Sequence, residues 1–251
     1  MRRIALLVAV SLLVCLAVTW FLFKRNAAKP NLSGITSTQP ASSTQPRDEG
    51  TSNVDSTGNH VPKVSFFGNG DYAHHVVFVI DASGLMAMAG KNGSVFDDVR
   101  AEMIKSISHL KAEQDFHIVF FQDGPLIQLP PTQLQPASPE NLAAAEKWIN
   151  DANPHGTGDN PVPAIIRAFD SLGKADKSRK GKIIFFLTFG PFPPSDALFQ
   201  CVKDRNRKND VQVFTYLLEP DNQDTIKLMN DIAIMTGGKY KDTRVEDFVG
   251  R

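Results

Sequence analysis

Cysteine is scarce in this chain: its 251 residues hold only Cys15 and Cys201. Two thiols exclude a disulfide scaffold and a thiolate zinc site. Net charge is absent too, since 27 basic residues balance 27 acidic ones. A general nucleic-acid binder carries a basic excess, so no nucleic-acid partner is expected. The chain also lacks a P-loop and a Gly-x-Ser-x-Gly elbow. That removes two common readings, nucleotide hydrolysis and serine hydrolysis. Aromatic residues are missing between Phe23 and Phe66. What is present is a 42% hydrophobic chain, enough to bury a sizeable core.

Residues 4–23 are 20 consecutive positions without charge, Gly or Pro, flanked by Arg2, Arg3, Lys24 and Arg25. A helix of that length spans roughly 30 Å, the thickness of a bilayer core. A cleaved signal peptide has a shorter apolar stretch and a small-x-small site, which Asn26-Ala27-Ala28 matches poorly. The expectation is an uncleaved anchor over residues 1–23. The basic residues and the terminal amine on the short side place the rest of the chain outside, on the extracytoplasmic face of a single-pass membrane protein. Residues 24–64 are rich in Ser, Thr, Pro, Asn and Gln, and Ser37-Thr38-Gln39-Pro40 recurs as Ser43-Thr44-Gln45-Pro46. Such a segment is expected to be a disordered tether.

Residues 65–251 alternate between strand and helix patterns. The runs 75–80 (HVVFVI), 116–121 (FHIVFF), 182–188 (KIIFFLT) and 211–218 are continuous and apolar, as in strands buried on both faces. Residues 126–129 and 239–242 read as short edge strands. Helices are expected over 94–111, 139–152, 161–175, 195–209 and 221–236. Ser94 suits an N-cap and Gly237 a stop. The fold class is therefore α/β, a doubly wound, mostly parallel sheet with helices on both faces, preceded by one transmembrane helix. Ligands in such sheets bind beyond the carboxyl ends of the strands, where strand order reverses.

Three segments fall at those ends: Asp81-Ala82-Ser83-Gly84-Leu85-Met86, His155-Gly156-Thr157-Gly158-Asp159 and Leu187-Thr188-Phe189-Gly190. Together they resemble the von Willebrand factor type A domain and its metal-ion-dependent adhesion site, across roughly residues 65–251. Phe66-Phe67-Gly68 ahead of the first buried strand resembles the membrane-anchored bacterial members. The resemblance implies a Rossmann-like fold and a protein partner. It also implies a magnesium ion held by oxygen ligands, with an open position for the partner's carboxylate. Asp81, Ser83 and Thr157 match the metal-binding positions. Leu85 stands where the family has a second Ser, and Phe189 where it has an Asp. The sequence does not place Asp159, whose charge is a possible replacement.

Two readings of these departures stand. Leu85, Phe189 and Phe192, with Met86 and Met88 nearby, form an apolar docking patch for a protein partner. Alternatively, Met86 and Phe189 fold inward as core. The metal question is open in the same way, between weak residual Mg²⁺ binding and none, since Asp81 can also cap its loop through backbone amides. The function expected is a membrane-tethered interaction or adhesion module and not an enzyme. The enzymatic rival is a haloacid-dehalogenase-like phosphotransferase with Asp81 as nucleophile. It needs a second acid two residues on, where this chain has Ser83.

The zero net charge also divides. Residues 1–64 carry 7 basic and 3 acidic residues, and residues 65–251 carry 20 and 24. The basic cluster Lys174, Lys177, Arg179, Lys180 and Lys182 falls at the amino end of the sheet. It reads as a solvated turn or a membrane-surface contact. His74 and His75, at the start of the first buried strand, match no paired metal motif.

Overall fold

The computed structural model describes residues 53–55, 58–156, 160–190, 196–218 and 222–243. Thr157, Phe192 and the apolar run 4–23 lie outside the described residues. The expectation of a single-pass membrane protein with an extracytoplasmic domain is corrected. Among the described residues, no helix is long and apolar enough to cross a membrane.

Ordered chain begins before residue 65. Val54 bridges His60, and Val61 is buried. A hairpin follows, formed by β1 (Lys63–Phe66) and β2 (Asn69–Tyr72). Its two-residue turn puts Phe67 and Gly68 at positive φ, 46° and 79°. That turn matches the twist of the paired strands and suits Gly far better than Phe. Asn69-Gly70-Asp71-Tyr72 has no strand pattern of its own, and pairing with β1 makes it a strand.

Next come β3 (His75–Asp81), a 3-10 turn at Gly84–Ala87, and a small ribbon of β4 (Ala89–Gly90) and β5 (Gly93–Ser94). Helix α1 (Val95–Ser108) leads to β6 (Asp115–Phe121), then to the two-residue strands β7 (Ile127–Gln128) and β8 (Gln135–Pro136). Helices α2 (Pro139–Asp151) and α3 (Val162–Gly173) precede β9 (Lys182–Thr188). The chain continues through α4 (Asp196–Arg205), β10 (Gln212–Leu218), α5 (Gln223–Thr236) and β11 (Tyr240–Thr243). Helix ends follow their side chains. Ser94 and Asp97 form a reciprocal capping box, Ser138 accepts from the Asn141 amide, and Gly237 ends α5 at φ 74°.

Strand order in the main sheet is β11-β10-β9-β3-β6-β7, with β8 also on β6. β3, β6, β9, β10 and β11 run parallel, and β7 and β8 run antiparallel to β6. The sheet is thus mixed, with its antiparallel members confined to short pieces at one edge. Alternate residues of β3 face opposite cores. Val76, Phe78 and Ile80 join the core made with α1, α2 and β1, and Val77 and Val79 join the one made with α3, α4 and α5. After β3 the chain pairs first with β6 on one side and later with β9 on the other. The order reverses between β3 and β9, which opens the crevice at Asp81 and Thr188.

The hairpin is fastened by an aromatic cluster. Phe66 lies 5.2 Å from Tyr216 and 5.6 Å from Phe78, both edge-on. The Tyr216 hydroxyl donates to Phe66 O at 2.7 Å, and burial pushes its pKa well above the usual tyrosine value. Tyr216→Phe keeps the packing but leaves a buried carbonyl short of its donor. It should cost about 1–2 kcal/mol in a urea melt.

Candidate functional site

Asp81 ends β3 and is fully buried. Its Oδ1 accepts from the Ser83 amide at 2.8 Å. Its Oδ2 accepts from the Thr188 hydroxyl at 3.1 Å and from the Phe189 amide at 3.0 Å. The Gly190 amide donates in turn to Thr188 Oγ1 at 3.1 Å. The carboxyl thus ties the end of β3 to the loop after β9, across the point where strand order reverses. Burial pushes the Asp81 pKa up; the Phe189 and Ser83 amides and the hydroxyls oppose it without overcoming it.

Ser83 is buried beside it. Its hydroxyl is close enough to weigh on Asp81 but makes no hydrogen bond of normal geometry with a described residue. The third loop closes over this point by main-chain contacts. The His155 amide donates to Ala82 O at 3.0 Å, and the Gly84 amide to Gly156 O at 3.0 Å. A Cβ on Gly84 would sit 2.6 Å from that Gly156 oxygen, so only glycine permits this approach. Gln122 Nε2 lies 2.6 Å from His155 Nε2, a pairing the sequence did not signal.

The apolar residues of these loops part company. Leu85 is 43% exposed and Met88 51%. Phe189 is 8% exposed and packs in the core with Met86. The three-residue patch of Leu85, Phe189 and Phe192 is therefore corrected at Phe189, because its ring is spent on the core. Leu85 and Met88 remain on the surface, and their loop is held firmly. Asp98 accepts from the Lys91 and Asn92 amides at 2.7 and 3.1 Å, and the Val95 amide donates to Met88 O at 2.9 Å. By sequence position Asp98 is simply an acid in the first turn of α1. Its burial and its grip on the 89–94 ribbon were not visible there.

Among the described residues, these side chains fall short of the oxygen set of a divalent cation; Thr157 and Asp159 lie outside the described residues. Mg²⁺ demands a near-octahedral oxygen set. Here one position is an exposed Leu and another a buried Phe. Both Asp81 oxygens already accept protein donors, and burial disfavours their charge. Among the described residues, no three His, Cys, Asp or Glu side chains cluster as a metal site.

The fold and site define an α/β domain with its crevice at the carboxyl edge of a mixed sheet. Residues 76–191 match the family model of the von Willebrand factor type A domain. Inter-alpha-trypsin inhibitor heavy chain H3 of Bos taurus is 29% identical over 120 residues. That match covers 46% of this chain and 13% of the bovine protein. A von Willebrand factor type A protein from Catenulispora acidiphila superposes with a TM-score of 0.55 at 19% identity, covering 72% of this chain and 42% of its own. The pilus adhesin SpaC of Lactobacillus rhamnosus GG gives 0.55 at 16% identity, covering 70% and 29%. The SpRpn10 VWA domain gives 0.54 at 14%, covering 70% and 94%. The chain thus spans a minor part of the bovine relative and less than half of the Catenulispora chain. The described domain has the von Willebrand factor type A fold.

Proposed function

We propose that this domain is a protein-interaction module that docks a polypeptide partner on the loop after β3 without a metal ion. One observation carries the reading. Leu85 and Met88 stand exposed on a loop braced by Asp98, beside the crevice this fold uses for ligands. Rigid, exposed apolar side chains are the usual anchors of a docking site. A pilus adhesin shares the fold, which gives precedent for adhesion on this scaffold. No enzymatic step is assigned to the site.

The test is affinity capture by the full chain in chelator, followed by identification and reconstitution of the bound protein. The reconstituted pair should form equally in chelator and in Mg²⁺. Leu85→Asp with Met88→Asp should weaken it at least about tenfold. Binding that needs Mg²⁺, or that ignores the double substitution, contradicts the reading.

A further inference from the structure

The amino end of the sheet carries a second concave feature, far from Asp81 along β3. A groove of about 550 Å³ lies between the loop before β9 and the turn after α4. Lys177, Arg179 and Lys180 line one wall; Arg205, Arg207 and Lys208 line the other. Phe169, Leu172 and Val211 add apolar surface. Only the two acids Asp204 and Asp210 share this lining. The concentration of cations is local, because residues 65–251 as a whole carry more acids than bases.

Both walls are fixed from behind by buried polar side chains. His74 Nδ1 lies 2.8 Å from Lys180 O. His75 Nε2 lies 3.0 Å from Asp176 O and 3.2 Å from Arg179 O, and its Nδ1 lies 2.7 Å from Asp115. Arg179 also bridges to Asp115 at 2.6 Å. On the other side, buried Asn206 holds Val211 by two bonds, at 2.8 and 3.2 Å. The histidine pair is thus a brace for a basic loop. A cationic groove built this way loses little freedom when a ligand arrives.

We propose that this groove binds a small, multiply phosphorylated anion. Lys177 and Lys208 have no carboxylate partner among the described residues. Other cations of the groove already hold acids: Arg207 with Asp204 at 3.0 Å, Lys182 with Asp210 at 2.8 Å, Arg205 with Asp170 at 2.5 Å, and Arg179 with Asp115 and Asp176 at 2.6 and 3.5 Å; all but the Arg179–Asp115 pair are at the surface. Exposed pairs of this kind are weak, so their cations exchange readily onto a stronger anion. Guanidinium forks match the oxygens of phosphate, and lysines add point charge. The volume falls in the range of small-molecule sites, roughly 300–1,000 Å³.

The experiment is calorimetric titration of the full chain with inorganic tripolyphosphate, and separately with citrate, at about 50 and about 200 mM salt. Saturable tripolyphosphate binding that weakens with salt and exceeds citrate binding is expected. Lys177→Glu with Lys208→Glu should weaken it at least about tenfold, and Lys105→Glu on α1 should leave it unchanged. Both lysines of the double variant are exposed, and an unchanged melting profile verifies its fold. The proposal is overturned if no saturable binding occurs at the lower salt, if the double variant binds as wild type, or if citrate binds as tightly.

Discussion

Asp81→Ala is expected to destabilise the folded domain by about 3 kcal/mol. Three donors lose their acceptor at once: the Ser83 amide, the Phe189 amide and the Thr188 hydroxyl. Each buried unpaired donor costs about 1–3 kcal/mol. The cost of burying the carboxyl, visible in its raised pKa, offsets part of that sum. Asp81→Asn should fall between, because its oxygen can serve the Thr188 and Phe189 donors while its amide nitrogen faces the Ser83 donor. Urea melts of the three proteins give the ranking. A loss below about 0.5 kcal/mol for alanine would show that the carboxyl does not tie β3 to β9.

The second large effect belongs to acid. His117 on β6 is fully buried, and its ring nitrogens find no normal hydrogen bond among the described residues. Burial lowers its pKa to about 4, and Arg167 pushes the same way. The Gln128 side chain opposes them weakly, without the alignment of a normal bond. The folded state therefore favours the neutral ring. Its contribution is fully present above the unfolded value of 6.5 and is lost as pH falls from there to about 4. The fall amounts to about 3 kcal/mol at 1.36 kcal/mol per pH unit. Asp81 acts in the opposite sense, since its raised pKa favours the folded state as acid is added. The comparison is therefore between wild type and His117→Leu, melted at pH 7 and pH 4.5. The variant should lose distinctly less stability across that interval. Parallel losses would remove His117 as the cause.

Much of this fold was legible because its strands are buried on both faces. The runs at 75–80, 116–121 and 182–188 became β3, β6 and β9 within a residue at each end. Helix stops were harder. The pattern at 195–209 predicts one helix, but α4 ends at Arg205 and Asn206 turns back to hold Val211. Hairpin β1–β2 is hard to see in the sequence because β1 has only four residues, β2 is polar, and tertiary contacts through Phe66 and Tyr216 fasten it.

The site was legible as positions and less so as roles. Asp81 ends β3 and Ser83 is buried beside it. Phe189 was ambiguous because nothing local tells a loop Phe which way to face. Its amide serves Asp81, and its ring joins the core. His74 and His75 lacked a motif because their partners, Lys180 O, Asp176 O and Arg179 O, lie more than a hundred residues away. Polar braces of that kind leave no periodic trace in a sequence.

The central claim is that the Asp81 crevice works without a metal. A thermal melt of the full chain in Mg²⁺, in Mn²⁺ and in chelator tests it most directly, with Asp81→Asn alongside. A ligand held by the folded state must raise the melting temperature. The account predicts one melting temperature in all three conditions, within about 1 °C. A rise of several degrees with either metal, abolished by Asp81→Asn, would contradict it.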